Sequence, residues 1–212
     1  MFIYILHIYE FRSILYRFHL ITVQLIRMHK KREFILLLLG VILTRIGDVI
    51  GTYHYTPNLA SEANPMVSLL GMGWLYILTA QVTVIVFSAT INYYSLFKVM
   101  PEEVLTRDLN LNNYLSTLYF SKATEWKWWY AFVKRPVGKN QEIYAYGWII
   151  PRILIHVGII IIIFHCLLAF VPGYISIHKY FVVPMYLLIV LCIPYNFLSY
   201  LKFRYKRYLL FR

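Results

Sequence analysis

The stretch Phe34–Tyr55, FILLLLGVILTRIGDVIGTYHY, decides the fold. It is long enough to cross the roughly 30 Å hydrocarbon layer of a bilayer, which takes about 20 helical residues. Yet it holds Arg45 and Asp48 near its middle. An ionisable residue at membrane depth is costly, and it becomes a functional-site hypothesis once a partner for it can be named. On a helix, Thr44, Asp48 and Thr52 fall four apart on one face, and Arg45 lies three residues before Asp48, within reach of it. Two readings follow. An Arg45–Asp48 pair inside one helix lowers the cost of both charges and merely lets the span insert; alternatively, Asp48 is the floor of a polar pocket that other segments complete.

Three further segments carry the same signal, at about 69–97, 147–170 and 180–201. The second is overlong and either tilts or begins with a short interfacial turn at 66–73. Of the 212 residues, 60% are apolar and 14% charged, and the mean hydropathy is +0.62, a membrane balance rather than that of a soluble domain. The expected fold is all-α: a polytopic membrane protein with four transmembrane helices and additional amphipathic or interfacial helices. Along the chain this divides into 1–33, an N-terminal interfacial segment or an extension from an upstream start codon; 34–97, a first transmembrane hairpin carrying the polar site; 98–146, a Trp-rich interfacial loop; 147–201, a second hairpin; and 202–212, a basic tail.

Basic residues orient the spans, because positively charged loops stay on the cytoplasmic side. Of 21 Lys and Arg, six precede the first span, seven lie in the long middle connection and five in the C-terminal tail, against none in the first connection and one, Lys179, in the third. Both termini and the middle loop are therefore expected in the cytoplasm, at the inner membrane of a prokaryote. The net charge of +12 suits a surface of anionic lipid. It does not suggest nucleic acid, since no Gly-rich or aromatic nucleic-acid motif accompanies it.

Residues 1–27 are apolar but broken by Glu10, Arg12, Arg17 and His19, which fits a helix lying in the interface better than a span. No small-residue cleavage site follows, so a signal peptide is not expected. In the middle loop, Val104, Leu105, Leu109 and Leu111 have helical spacing, and E125-W-K-W-W-Y-A-F-V-K-R135 interleaves aromatic and basic residues. Such a mixture favours the headgroup layer, and it is also a candidate contact for a protein partner. Cys166 and Cys192 fall within spans and read as structural thiols. No Cys/His cluster has metal-ligand spacing, and no cofactor motif is present.

One apparent catalytic motif fails on context. E102-E-V-L-T-R107 resembles the Glu-Glu-x-x-x-Arg motif of the CAAX-protease and bacteriocin-processing family of intramembrane proteases. There the glutamates lie in a membrane helix and are completed by histidines. Here Glu102 and Glu103 follow Pro101 in a polar loop, which reads as a helix start, and no Phe-x-x-x-His is present.

After the first span, T56-P-N-L-A-S-E-A-N-P65 brings Glu62 and Asn64 back toward the level of Thr52. Pro65 suits the first turn of the next helix, with Glu62 and Asn64 at its capping end. Asp48-x-x-x-Thr52 followed by Glu62-x-Asn64-Pro65 and a second span resembles the signature of a family of small prokaryotic membrane proteins that has no assigned reaction. The likeness covers residues 40–97 and implies a shared site without naming its chemistry.

Other spans offer Gln81, Ser88 and Asn92 on one face of the second, and Arg152 with His156 on one face of the third. His165 is half a turn out of phase with His156, so the two histidines are not expected to serve one site. Gln81 and His165 share the depth of Asp48. Ser88 and Asn92 are read as helix packing. The candidate ligand-binding residues are thus Arg45, Asp48, Thr52, Glu62, Asn64, Gln81 and His156. The leading expectation is an intramembrane site for a small polar ligand, an ion or a lipid headgroup in a transporter-like or accessory protein. The alternatives are an intramembrane enzyme using Asp48 or Glu62 as general acid or base, and a structural subunit of a membrane complex.

Overall fold

The computed structural model describes residues 2–59, 67, 71, 73–101, 104, 106, 108–122, 125–127, 129–130 and 134–210, with side chains from Met28 onward. Glu62 and Asn64, and with them the Glu-x-Asn-Pro turn, lie outside the described residues, as do Glu102 and Glu103. Every regular element among the described residues is helical: α1 (Phe2–Tyr55), α2 (Trp74–Tyr93) running into a π-helical turn (Tyr94–Lys98), α3 (Leu111–Phe120), α4 (Lys139–Phe170) and α5 (Tyr174–Leu210). The chain divides into two units, Met1–Leu36 and Leu37–Arg212. The first is helical from Phe2 and contributes the start of α1.

Four helices are long and apolar enough to cross a membrane: Met28–Tyr55, Trp74–Lys98, Lys139–Phe170 and Tyr174–Leu210. The reason is physical. A chain in hydrocarbon has no water to satisfy its amides, so each apolar run closes its own backbone hydrogen bonds as a helix. Outward-facing Leu43, Ile46 and Ile50 on α1 and Leu187, Val190 and Leu191 on α5 are exposed, an exterior that suits lipid. This is a multi-pass membrane protein.

Helix α4 is the centre of the second unit. It packs on α2, on the π-helical turn and on α5, and it meets α1 along a seam with almost no side-chain spacer. A methyl at Gly40 would strike Ile155 at 2.8 Å and one at Gly47 would strike Ile162 at 2.6 Å; Gly51 lies beneath the His165 ring, and Gly158 beneath Thr44 and Arg45. Matching numbers rise together on the two helices, so α1 and α4 run parallel. The small residues fall three and four apart, the spacing that lets membrane helices approach backbone to backbone. Between α4 and α5 the chain turns through Val171-Pro172-Gly173, where Gly173 has φ +78, a conformation that costs glycine nothing. The Ser176 hydroxyl donates to the Gly173 carbonyl at 2.6 Å. This turn lies at the same end of the bundle as Tyr55 and Trp74, called here the Tyr55 end.

At the opposite end, α3 is a short amphipathic helix. Asn110 caps it, its Oδ1 accepting from the Asn113 amide at 2.8 Å, and Ser121 closes it in the left-handed region at φ +58. Its Tyr114, Leu115, Leu118 and Tyr119 are buried together with Tyr144, Ala145 and Ile149 of α4 and Tyr200, Leu201 and Tyr208 of α5. One expectation for the middle loop is corrected here. Val104, Thr106 and Leu109 are not helical; instead the Tyr208 hydroxyl lies 2.9 Å from the Thr106 carbonyl and 3.0 Å from the Leu109 amide, and holds the strand of chain that precedes α3. Trp126 turns inward onto Tyr119, Phe120 and Tyr130, while Trp129 is exposed. Burial pushes the Tyr119 phenol above its ordinary range, helped by the neighbouring Tyr200 and Tyr146 hydroxyls.

Candidate functional site

The polar cluster forms where the glycine seam and α2 converge. Asp48, three residues along from Arg45, is reached by two other helices. Gln81 of α2 donates from Nε2 to Asp48 Oδ2 at 3.0 Å. His165 of α4 brings Nε2 to 3.7 Å from Asp48 Oδ1. On its own helix, Arg45 Nη1 lies 3.7 Å from Asp48 Oδ2, while Arg45 Nη2 donates across the seam to the Leu154 carbonyl at 3.3 Å. Asp48 is thus met from three helices, α1, α2 and α4. Counting about 1.5 Å of rise per residue from Tyr55, it sits roughly 10 Å inside the helix end.

Glycine makes this meeting possible. Gly158 lets the Arg45 guanidinium lie against the α4 backbone, and Gly51 gives the His165 ring room beside α1. The same ring stacks on Tyr55, with 6.1 Å between centroids and an interplanar angle of 4°. Thr44 and Thr52 are both buried on this face. The Thr44 hydroxyl turns back to its own helix, 2.9 Å from the Gly40 carbonyl and 3.0 Å from that of Val41.

Several polar atoms of the cluster make no hydrogen bond although they are buried: Arg45 Nε, both ring nitrogens of His165 and the Tyr55 hydroxyl. An unsatisfied buried donor or acceptor costs about 1–3 kcal/mol. A site of this kind therefore has standing capacity for a polar guest. Taken as a set it offers donors (Arg45 Nε–H, Tyr55 O–H), an acceptor (Asp48 Oδ1) and an imidazole that serves as either. Among the described residues no group of three His, Cys, Asp or Glu is placed to hold a metal ion.

Of the residues singled out from sequence, Arg45, Asp48, Thr52 and Gln81 are brought together. His156 is not with them: it faces α5, where Asn196 Nδ2 lies 3.1 Å from its Nδ1 and Tyr195 meets its ring edge to face. His165 takes the place at Asp48 instead. Arg152 is occupied locally, donating to the Trp148 carbonyl at 2.7 Å and lying 3.9 Å over that ring. Ser88 and Asn92 are buried, and Asn92 Nδ2 donates to the Gly147 carbonyl of α4 at 2.8 Å, a packing contact between helices.

No protein-family model, curated protein or solved structure gives a significant match to this chain.

Proposed function

We propose that the chain is a transporter-like or accessory protein of a prokaryotic cytoplasmic membrane and that the Arg45–Asp48–Gln81–His165 cluster binds a small polar ligand. One observation carries the reading: a carboxylate inside an apolar bundle is engaged from three helices, beside a guanidinium and an imidazole that still have unpaired nitrogens. A pair that served only insertion would need nothing beyond Arg45 and Asp48 on one helix. The recruitment of Gln81 and His165 adds the geometry of a receptor. Because Arg45 neutralises Asp48, the cluster suits a neutral donor–acceptor group better than a bare cation, which narrows the range of ligands the sequence left open.

The distribution of Lys and Arg supports a topology with the Tyr55 end outside and the Lys98 end, with both termini, in the cytoplasm. On that reading exposed Lys122, Lys127, Lys134 and Lys139 beside Trp129 face anionic headgroups. A second reading rests on the Asp48 Oδ1 to His165 Nε2 approach, which also suits a carboxylate-oriented imidazole acting as a base. To test the first, wild type and Asp48→Asn, purified identically, are extracted and compared by mass spectrometry. A small polar molecule retained by the wild type and lost from the variant, with the helical fold intact in both, supports binding. Equal retention, or none in either, overturns it, and conversion of the retained molecule would favour the base.

A further inference from the structure

His156 on α4 is held from one side only. Asn196 Nδ2 of α5 lies 3.1 Å from His156 Nδ1 and also donates to the Cys192 carbonyl at 2.8 Å. A carbonyl only accepts, so the NH2 end of the amide faces both groups, Nδ1 is the acceptor and the ring proton is on Nε2. That Nε2–H has no hydrogen-bond partner among the described residues. Unlike the ring nitrogens of His165, it is not closed off inside the bundle, and the side chain is only half-buried. Edge to face with the ring, at 5.6 Å between centroids, lies Tyr195. Tyr195 is 61% exposed, and its hydroxyl makes no hydrogen bond among the described residues.

Both groups belong to the spans. At about 1.5 Å per residue, His156 is roughly 14 Å and 21 Å from the two ends of 147–170, and Tyr195 roughly 9 Å from the 201 end of 180–201. A histidine at such depth ordinarily faces the bundle interior or a water-filled cavity. Hydrocarbon satisfies neither an N–H nor an O–H. The surface around the pair is apolar: Ile159 and Ile163 share the His156 face of α4, and Leu188, Leu191 and Leu198 share the Tyr195 face of α5, all of them exposed. A lipid phosphate would have to leave the headgroup layer to reach Nε2.

The chemistry of the two groups selects the cover. The imidazole presents a donor, and a phenol hydroxyl accepts as well as donates. Side by side on one surface they are the two halves of a single contact. A two-fold axis along the membrane normal keeps two copies at equal depth, so each donor meets the other copy's acceptor, the reciprocity of an isologous interface. A chain of another kind would need an acceptor of its own at this level.

We propose that the outer face of α4 and α5 is the interface of a homodimer, in which His156 Nε2–H of each copy donates to the Tyr195 hydroxyl of the other. The interface is independent of what the Asp48 cluster binds.

Single-molecule photobleaching of the full chain, labelled at its C-terminus and reconstituted in vesicles over a range of lipid-to-protein ratios, counts the copies. Two-step bleaching is expected, giving way to one step on dilution. His156→Leu removes both donors and Tyr195→Phe both acceptors, so each should raise the dimer dissociation constant about ten-fold. The double variant should raise it no further, because the two substitutions remove the same pair of bonds. A second measurement leaves both polar residues in place. In a Cys166→Ser, Cys192→Ser background, Leu191→Cys should oxidise to a cross-linked dimer about ten-fold faster than Ile46→Cys on the exposed face of α1, since a disulfide needs Cα atoms within about 7 Å. Single-step bleaching at every ratio, or equal cross-linking at the two positions, overturns the interface; a foreign membrane chain or a phospholipid retained by such monomers would then be what covers Nε2. Dimers as stable in His156→Leu as in the wild type overturn the His156–Tyr195 contact.

Discussion

Asn92 Nδ2 lies 2.8 Å from the Gly147 carbonyl, and Gly147 is the residue whose carbonyl Pro151 leaves without its helical donor. A proline four residues on has no N–H to give. Asn92 therefore supplies from α2 the hydrogen bond that α4 cannot make for itself. The close approach needed for this is set by Gly147, where a methyl would run into the Ile91 carbonyl at 2.7 Å and the Ser95 side chain. The π-helical turn adds a parallel contact, the Ser95 hydroxyl donating to the Tyr144 carbonyl at 3.2 Å. Asn92→Ala should destabilise the bundle by about 1–2 kcal/mol, the cost of orphaning a buried carbonyl. In a Pro151→Ala background, where an amide returns to that carbonyl, the same substitution should cost about 1 kcal/mol less, since partners of one shared group do not act additively. Reversible unfolding of the four variants in mixed micelles measures the coupling; strict additivity would mean Asn92 acts elsewhere.

A similar cycle applies to the glycine seam. Gly51→Ala places a methyl against the His165 ring, 2.9 Å from its Cβ, and overpacking of this kind costs typically about 1–3 kcal/mol. His165→Ala removes the ring but keeps the Cβ contact at 2.9 Å, so the obstruction is eased, and it is offset in part by the intrinsic preference of a helix for alanine over glycine, about 1 kcal/mol in the stabilising direction. Gly51→Ala should therefore cost at least about 1 kcal/mol less in the His165→Ala background than in the wild type. The unfolding midpoints of the four proteins read it directly.

What the sequence makes legible follows from which forces are local. The spans are set by hydropathy and length, so four helices could be read along the chain without knowing their neighbours. The depth of Asp48, Gln81 and His165 follows by counting residues from the span ends. Which face of the third span meets the first depends on helix pairing, and there the reading selected His156. A signal for His165 was available: Gly158 and His165 are seven apart, hence on one stripe, opposite Gly40, Thr44, Gly47 and Gly51 with their three- and four-residue steps. Pro101 with Glu102 and Glu103 reads as a helix start, yet the described helix begins at Leu111 under the Asn110 cap. The segment before it is held by Tyr208, about a hundred residues away along the chain, a contact no local pattern can announce.

Tyr119 gives a pH dependence confined to the packed end around α3. Its phenol is held above the ordinary range chiefly by burial, so the folded protein keeps the proton where the unfolded chain, titrating near the usual value of about 10, releases it. A raised folded-state value contributes stability below the unfolded value that is lost as pH rises past it. Wild type should therefore lose stability as pH climbs above about 10, and Tyr119→Phe, which has no proton to lose, should flatten that part of the profile. Trp126, whose ring centroid is 5.0 Å from that of Tyr119, offers a local fluorescence readout of unfolding between pH 9 and 11, a window bracketing the ordinary phenol value of about 10.

Arg45 and Asp48 separate two meanings of a charge pair in a membrane helix. Removing one partner of a buried pair leaves the other charge without compensation, at a cost of about 3–5 kcal/mol, whereas removing both charges together is often nearly neutral. Arg45→Gln should be strongly destabilising, and Arg45→Gln with Asp48→Asn should recover most of the loss. The recovery should be incomplete, because Gln81 and His165 also address Asp48, and an asparagine in its place has only one acceptor oxygen for them. If the pair serves insertion alone, the double variant returns fully to wild-type stability and adding Gln81→Ala to it changes nothing. If the three-helix cluster is a unit, Gln81→Ala destabilises the wild type by about 1 kcal/mol and the double variant by a measurably different amount. Membrane yield and unfolding free energy for the five proteins decide between the two.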